Sequence, residues 1–553
     1  MCRGSRVAPA AAAPGPRLIR PMDYPVETFT EAERDRLTPH FTNLDRPVFA
    51  LVNMPETVKG ALFARYSRYQ GTLRRLFLDE FADDMEAGAA RAFDGAEGQR
   101  AADLYKRVFL GYGDDSVAQL GGAHIAVEWV SNVMTKLLQR GRLAAYLEQS
   151  TRYIPYDTPM PGGGYRYWRD ASLGPEYAQA MDGLFDAYAA MLPRVEAWAD
   201  ERFPRADGEP EAAHRRSIRA KALDLLRGLL PAATLSHVGI FASGQAYEQL
   251  ILRLLASPLP EAREVGAMIL RELQAVMPSF VARVDRPDRG GEWVGYLTER
   301  RATSARIASR MGLDRPDPTD GGGPSVRLLS VQGTEDDLLA ALLFEESSCS
   351  EEEIRSAVGV LPPDERAALI GELVGERHNR RHRPGRGFEA VRYRFEVVSD
   401  YGAFRDLQRH RMLTIQWQPL TPHLGAGVPG ELEDARVADA YSDALDASRA
   451  EYERLADAGL GHLAPYALCL GFRIRYVLDM NAREAMHLVE LRSGREGHPG
   501  YRAVAHELHA QIAELHPSVG AAMTHVDHDT EPRLERILSE IRTHARRAEQ
   551  TSV

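Results

Sequence analysis

Three cysteines in 553 residues, Cys2, Cys349 and Cys469, with no C-x-x-C spacing among them, leave no basis for a disulfide framework or a cysteine zinc site. That scarcity predicts a reducing, cytoplasmic setting. Positive charge is also short, because 68 Lys and Arg stand against 79 Asp and Glu, for a formal net charge of -11. A general nucleic-acid or anionic-membrane surface needs the opposite balance, so neither partner is expected. A small anion held by a local arginine cluster remains compatible with it. No uninterrupted apolar run reaches the length of a membrane span. The first 22 residues are rich in Ala, Pro and Arg but lack the continuous apolar core of a secretory signal. They read as a disordered tail or as a transit peptide.

What is present in bulk is ordinary: 44% hydrophobic and 27% charged residues predict a soluble globular protein, and the length predicts two or three domains. The informative feature is a repeated stretch. Residues 137–153 read LLQRGRLAAYLEQSTRY, and residues 406–421 read DLQRHRMLTIQWQPLT. In both, a Gln precedes an Arg-x-Arg triplet: Gln139 with Arg140 and Arg142, then Gln408 with Arg409 and Arg411. Two planar, permanently charged forks on a pre-placed backbone suit phosphate or carboxylate ligands. A solvated basic helix end is the alternative.

Taken in order, residues 57–87 carry apolar positions at helical spacing. Residues 111–115 read as a turn, and the apolar run 123–130 fits strand or helix equally. Helical patterns follow over 175–203, from about 215 to 230, over 247–255 and over 262–276. Segments 283–291 and 314–324 have the Pro, Gly and Asp content of linkers, which places a boundary near residue 320. Beyond it, 325–331 and 391–398 read as strands, and 437–458, 482–492 and 501–515 as helices. The second half repeats the order of the first. Arg140 corresponds to Arg409 at an offset of 269 and Arg253 to Arg492 at 239, so the second copy is 30 residues shorter between those landmarks. The expected organisation is a tail 1–22, a first domain 23–312, a linker 313–324 and a second domain 325–553.

Arg140-Gly141-Arg142, seven further residues, then Ser150 and Arg152-Tyr153 resembles the R-H-R-x7-S signature of flavin-dependent thymidylate synthases. Ser116-Val117 sits where that family has S-V ahead of E-H, and residues 148–153 match its E-Q-S-x-R-Y. The second copy supplies Arg409-His410-Arg411, and Asn481-Ala482-Arg483, eleven residues ahead of Arg492 counting from Asn481, resembles the N-A-R and L-R hallmark. The fold this implies is α+β: two tandem copies of a flavin-dependent thymidylate synthase-like domain, each a mixed sheet with long helices.

Each copy departs from the pattern in a different place. Copy one has Gly141 for the motif His, Ala242 to Gly244 for N-A-R, and Gln119-Leu120 for Glu-His. Copy two has Trp417, Pro419 and Thr421 where Glu, Ser and Arg are expected, Pro465 near the place of Arg227, and Glu389-Ala390 for Glu-His. In the family each active site is shared between subunits of a homotetramer. Carried over, the resemblance implies a homodimer forming a pseudo-tetramer of domains, with two inequivalent sites per pseudo-dimer. It assigns the catalytic role to Arg492, and the cofactor side to Arg409, His410, Arg411, Asn481, Arg483, Ser116 and Glu148. The substrate side falls to Gln408, Ser150, Arg152, Arg227, Arg140, Arg142 and Arg253. Of these, Arg140 and Arg253 belong to a reciprocal site facing Trp417, Pro419 and Thr421, which is expected to be dead. Independent decay, leaving no working site, is the alternative.

The implied activity is methylation of dUMP, or a related pyrimidine nucleotide, with methylenetetrahydrofolate, NADPH and FAD. Other clusters carry less. Residues 377–386, RHNRRHRPGR, grip a flavin pyrophosphate or nucleic acid in one reading and form a solvated loop in the other. His506 with His509, and His525 with His528, do not have the spacing of a zinc motif, and no metal is expected. Tyr146 and Trp417 are expected to pack rather than to stack on a ligand.

Overall fold

The computed structural model describes residues 24–54, 56–83, 119, 121–152, 154–160, 163–205, 209–314, 323–531 and 534. The expected tail 1–22, the turn 111–115, Ser116 with Val117, and most of the 313–324 linker lie outside the described residues. Each half builds one antiparallel four-stranded sheet. The first contains β1 (Val48–Leu51), β2 (Gly122–Ser131), β3 (Ala144–Glu148) and β4 (Leu235–Ser243), in the order β1-β2-β4-β3. The second contains β5 (Ser325–Gln332), β6 (Arg392–Asp400), β7 (Thr414–Trp417) and β8 (Arg473–Asn481), in the order β5-β6-β8-β7. The architecture is α+β, built twice.

The run 123–130 is strand because both faces of the first sheet are covered, so Ile125, Ala126 and Val127 are all buried and no alternation shows in the sequence. One face packs on the helices Gly244–Leu255 and Pro260–Val276, the other on Leu37, Leu62, Leu73 and Phe77 from the N-terminal helices. β8 shows the opposite case. Its Ile474, Tyr476, Leu478 and Met480 are buried while the residues between them stay half-exposed, and on that open face Arg392 pairs with Asp479 at 2.8 Å.

Strand ends deliver the Arg-x-Arg triplets. Ser131 closes β2 and caps the helix Asn132–Leu138, its hydroxyl accepting from the Met134 N–H at 2.9 Å. Asp400 closes β6 and caps Tyr401–Leu407 in the same way, through the Ala403 N–H at 2.7 Å. Each seven-residue helix ends at the Gln, so both triplets leave a helix C-terminus at matching positions.

The halves meet on a pseudo-twofold axis. The Ala232 N–H donates to the Leu468 carbonyl at 2.7 Å and the Leu470 N–H to Leu230 at 2.9 Å; the Ala233 N–H donates to Tyr466 at 2.9 Å and the Gly471 N–H to Gly228 at 2.8 Å. Pro231 and Cys469 form the bridge at its centre. The largest core is common to both halves, with Tyr177, Leu184 and Tyr188 of the helix Gly174–Arg202 in one cluster with Tyr441, Leu445 and Tyr466. No helix among the described residues is long and apolar enough to cross a membrane.

Three local expectations change. The helix over 57–87 is broken into Glu56–Tyr66 and Leu73–Glu80, because Thr72 caps a new start, accepting from the Arg75 N–H at 3.2 Å. The linker-like 283–291 winds into a helical turn, Pro287–Gly291, leading into Glu292–Arg310. Helices at Glu335–Phe344, Glu351–Gly359 and Pro363–Val374 had no counterpart in the sequence expectations, although Thr334 with Asp337 and Ser350 with Glu353 form capping boxes.

Cys469 is fully buried on the dyad, its thiol donates to the Leu229 carbonyl at 3.0 Å, and burial pushes it up to about 12. Cys349 is exposed. Ellman titration of the native chain is therefore unchanged by Cys469→Ala and loses a fast-reacting thiol with Cys349→Ala. A native Cys469 that reacts as fast as Cys349 means that the dyad is not packed as described.

Candidate functional site between the two halves

Of the predicted residues, Glu148, Arg152, Arg227, Gln408, Arg409, His410 and Arg492 come together across the dyad, and they do so around carboxylates. Glu148, at the end of β3, is buried and uses both oxygens. Oε1 accepts from Arg405 Nη2 at 2.7 Å; Oε2 accepts from Lys136 Nζ at 3.0 Å, Gln139 Nε2 at 2.9 Å and Arg409 Nη2 at 3.3 Å. Burial pushes its carboxyl up, but Lys136, Arg405 and Arg409 outweigh burial and hold it well below the usual range. The same burial pulls Lys136 down to about 7. Glu148 thus faces inward, as the tie between the halves. Gln408 adds to the tie by donating to the Lys136 carbonyl at 2.9 Å.

Asp406 is the second centre. It lies 3.4 Å from Arg227 Nη1 and 3.6 Å from Arg409 Nη1. Burial raises its carboxyl, but Arg409, Arg227, Arg492 and Arg152 together bring it far below the usual carboxylate range. Two arginines from the first half and two from the second therefore act on one carboxylate. Arg152 is already engaged: its Nε and Nη2 grip Asp224 at 2.7 and 2.6 Å, Nη1 and Nη2 each reach the Glu496 carbonyl at 3.2 Å, and Nη1 lies 3.3 Å from the Tyr501 hydroxyl. Ser150 turns its hydroxyl back on the chain, accepting from the Arg152 N–H at 3.3 Å. Asp224, Asp406 and Tyr501 carry no motif, and sequence reasoning missed them.

Arg492 ends the helix Ala482–Arg492 with its guanidinium 5.5 Å from the centre of the Tyr501 ring. Its Nε–H donates to His410 Nε2 at 3.0 Å, so the His410 proton lies on Nδ1, which is 2.9 Å from Glu484 Oε1. His487 Nδ1 lies 3.3 Å from the other Glu484 oxygen. His410, Glu484 and His487 bring three potential metal ligands together. The Arg492 donor leaves His410 Nδ1 protonated, though, and a protonated nitrogen is not a ligand. Asn481 caps this helix, accepting from the Glu484 N–H at 2.9 Å, and Arg483 on its first turn donates to the Pro384 carbonyl at 3.1 Å. Of the basic run 377–386, Arg377 is not solvated: it is buried against Glu490, at 2.6 and 2.7 Å.

The family profile described as thymidylate synthase complementing protein matches residues 67–279 and again 329–518. The chain belongs to that family. A UPF0159 protein of Chlamydia muridarum is similar to it at 36% identity over 531 residues, 94% of this chain and 99% of that protein. A flavin-dependent thymidylate synthase of a Mycobacterium species (strain KMS) is 27% identical over 180 residues, 32% of this chain and 68% of that protein. Among solved structures, a UMP/dUMP methylase, PolB from Streptomyces cacaoi bound with 5-Br dUMP, is 22% identical, covers 36% of this chain and 94% of that one, and overlaps at a TM-score of 0.29.

Within this thymidylate synthase complementing protein architecture the reciprocal residues are placed as a mirror set with different chemistry. Arg140 stands 5.0 Å from the Trp417 ring centre, where Arg409 meets Glu148. Gly141 replaces the motif His because the Tyr146 hydroxyl fills that space: a Cβ there would lie 2.6 Å from it, and 3.6 Å from Arg253 Nη2. Arg142 crosses to the Thr414 hydroxyl at 2.9 Å, and its mate Arg411 donates to the Ala144 carbonyl.

Burial first, and then the Arg492 cation, keep His410 neutral down to about 4, whereas an unfolded imidazole takes a proton near 6.5. The unfolded chain thus binds more protons in that window, and this share of stability is lost as pH falls from about 6.5 towards about 4. Glu484, held at about 2 by its two histidine hydrogen bonds against burial, extends the loss below 4.5. The drop in urea midpoint between about pH 7 and about pH 5 should be smaller in His410→Gln than in wild type. An equal drop means that His410 titrates as if exposed.

Proposed function

We propose that the chain methylates dUMP to dTMP at a composite site between its halves, using methylenetetrahydrofolate and NADPH with FAD. The observation that carries this is the convergence of Arg152 and Arg227 from one half with Arg409 and Arg492 from the other around Asp406. Four guanidiniums that act on one carboxylate, two of them within 3.6 Å of it, suit a phosphorylated substrate. Arg227, with Nη2 buried and unpartnered, has a donor to give, while Arg152 has to share its fork with Asp224.

Arg492 has its Nε committed to His410 and a further interaction with Tyr501, which leaves the rest of its fork for the pyrimidine. A fixed cation there favours the base after loss of its N3 proton. His410 and Arg411 line a cavity of about 250 Å³ with Gln408, Leu413 and Ile415, and Arg483 stands at a capped helix N-terminus. The buried, unpartnered Gln408 Oε1, an apolar wall, a neutral imidazole and a helix N-terminus fit a flavin ring and its phosphates. FAD, when bound, supplies the hydride chemistry. Neither described cysteine is placed to attack a pyrimidine, since Cys349 is a surface thiol and Cys469 is sealed in the dyad. That agrees with methylation that uses no enzyme thiolate. The boundaries 23–312 and 325–553 and a dimer of chains belong to the same proposal.

A second reading, a catalytically silent nucleotide-binding protein, is favoured by one observation: the chain's own Asp224 and Asp406 already occupy the arginine forks. The test is the flavin count per polypeptide followed by a dUMP methylation assay. About one FAD per chain, turnover, and a loss of about 100-fold or more in Arg492→Gln with flavin retained are expected. Nucleotide binding that depends on Arg227, without flavin or turnover, selects the silent reading.

A further inference from the structure

The net charge of -11 is not spread evenly over the chain. Residues 335–374 carry eleven Asp and Glu against two Arg, so most of the excess sits on the helices Glu335–Phe344, Glu351–Gly359 and Pro363–Val374. Both arginines are already engaged inside the segment, Arg355 by Asp337 and Glu351, and Arg366 by Asp336. Glu346, Glu352, Glu365 and Glu372 are exposed and form no ion pair among the described residues. Apolar side chains stand beside these charges in the open: Phe344, Val360 and Leu373 are 42% to 82% exposed. Exposed apolar groups rimmed by charge of one sign mark a docking surface.

The helix Glu292–Arg310 has the complementary character. None of its residues is buried. Its first turns are rooted, because Val294 and Leu297 pack on the first domain's core and Arg301 donates to the Ala256 carbonyl at 2.6 Å. Beyond Arg301 only Thr303 and Ala308 are half-buried, and the rest of the helix is exposed all round. Tyr296, Arg300, Thr303 and Ile307 follow one another along it at helical spacing, and Met311 continues the line. Tyr296, Ile307 and Met311 are 41% to 64% exposed. Four arginines stand against two glutamates on this helix, and among the described residues only Arg306 forms an ion pair, with Glu299 at 3.9 Å. The helix lies between the two stretches that match the family profile, 67–279 and 329–518, so it is no part of the shared domain.

The two faces do not cover each other within one chain, since the basic helix is rooted on the helix Gly244–Leu255 and both faces stay exposed. We propose that they meet between two copies of the chain, the helix Glu292–Arg310 of each copy docking on the acidic helices 335–374 of the other around a twofold axis. Opposite charge orients the encounter, and Tyr296, Ile307 and Met311 against Phe344, Val360 and Leu373 supply the apolar contact that charge alone does not. A twofold pairing uses both faces of both copies and leaves neither open to a third. It also makes the contact twice, which brings a single-helix interface towards the roughly 1,600 Å² of a stable complex. This names the contact of the dimer of chains and does not depend on dUMP methylation.

Sedimentation equilibrium of the purified full chain should give a dimer that does not grow with concentration and that weakens as salt is added. Arg306→Glu with Arg310→Glu should weaken it about tenfold or more, and so should Glu346→Lys with Glu372→Lys. All four side chains are exposed, so both variants should keep the wild-type circular dichroism spectrum. An equimolar mixture of the two variants should recover the dimer, because each altered helix then meets an oppositely altered face. Ile307→Ser should weaken the wild-type dimer about tenfold or more while leaving its salt dependence in place. A wild-type chain that stays monomeric overturns the proposal and leaves both faces to another protein. A dimer that survives both charge reversals, variants that stay apart on mixing, or a mass that climbs past the dimer each overturns it as well. A dimer without flavin or turnover refutes the methylation reading and leaves this contact standing.

Discussion

A single buried carboxylate, Glu148, decides whether the two halves make one site. Lys136 and Gln139 reach it from its own half, and Arg405 and Arg409 reach it from the other. Buried charge is tolerated only when it is paired, and breaking such a set costs about 3–5 kcal/mol because the surviving cations are left without a counter-ion. Glu148 therefore helps to hold Arg409, whose side chain is 40% exposed, beside Asp406. The arginine cluster thus takes part of its geometry from a carboxylate that touches Arg409 alone among its four members.

Much of this was legible in the sequence, in proportion to how local each signal was. Capped strand-to-helix joints repeat at matching positions, so the two Arg-x-Arg triplets announced the duplication. The 30-residue shortening of the second copy has a visible cause: the first half has the helices Gly174–Arg202 and Glu211–Leu226 where the second has Ala438–Leu455. What escaped notice was the carboxylate set. Asp224 lies 72 residues from Arg152 and Asp406 lies 179 from Arg227, and a lone Asp at such a separation carries no spacing signal. The helices over 335–374 escaped for a different reason. The first two begin in capping boxes, but the third has no side-chain cap and Ile370 as its one buried residue, and its periodicity is faint.

Burial explains the rest of the contrast between the halves. The first sheet is covered on both faces, and β2 gains room for a bulge that sets Trp129 at a φ of 57° and turns Glu128 towards Tyr66, Leu73 and Arg74. The second sheet keeps an open face and satisfies it with crossed Arg–Asp pairs. Two domains of one design thus solve the same packing problem differently, because only one of them has an N-terminal layer to bury.

The backbone ladder through Pro231 and Cys469 has a further meaning. An assembly of identical subunits copies every substitution into all of its sites, so a residue that helps one function and harms another has to be kept or lost everywhere at once. Joining the two sides of the axis in one polypeptide removes that constraint. Position 148 can remain a glutamate while its mirror becomes Trp417, and position 410 can remain a histidine while its mirror becomes Gly141. Covalent linkage keeps the symmetry of the shape while each side acquires its own chemical history.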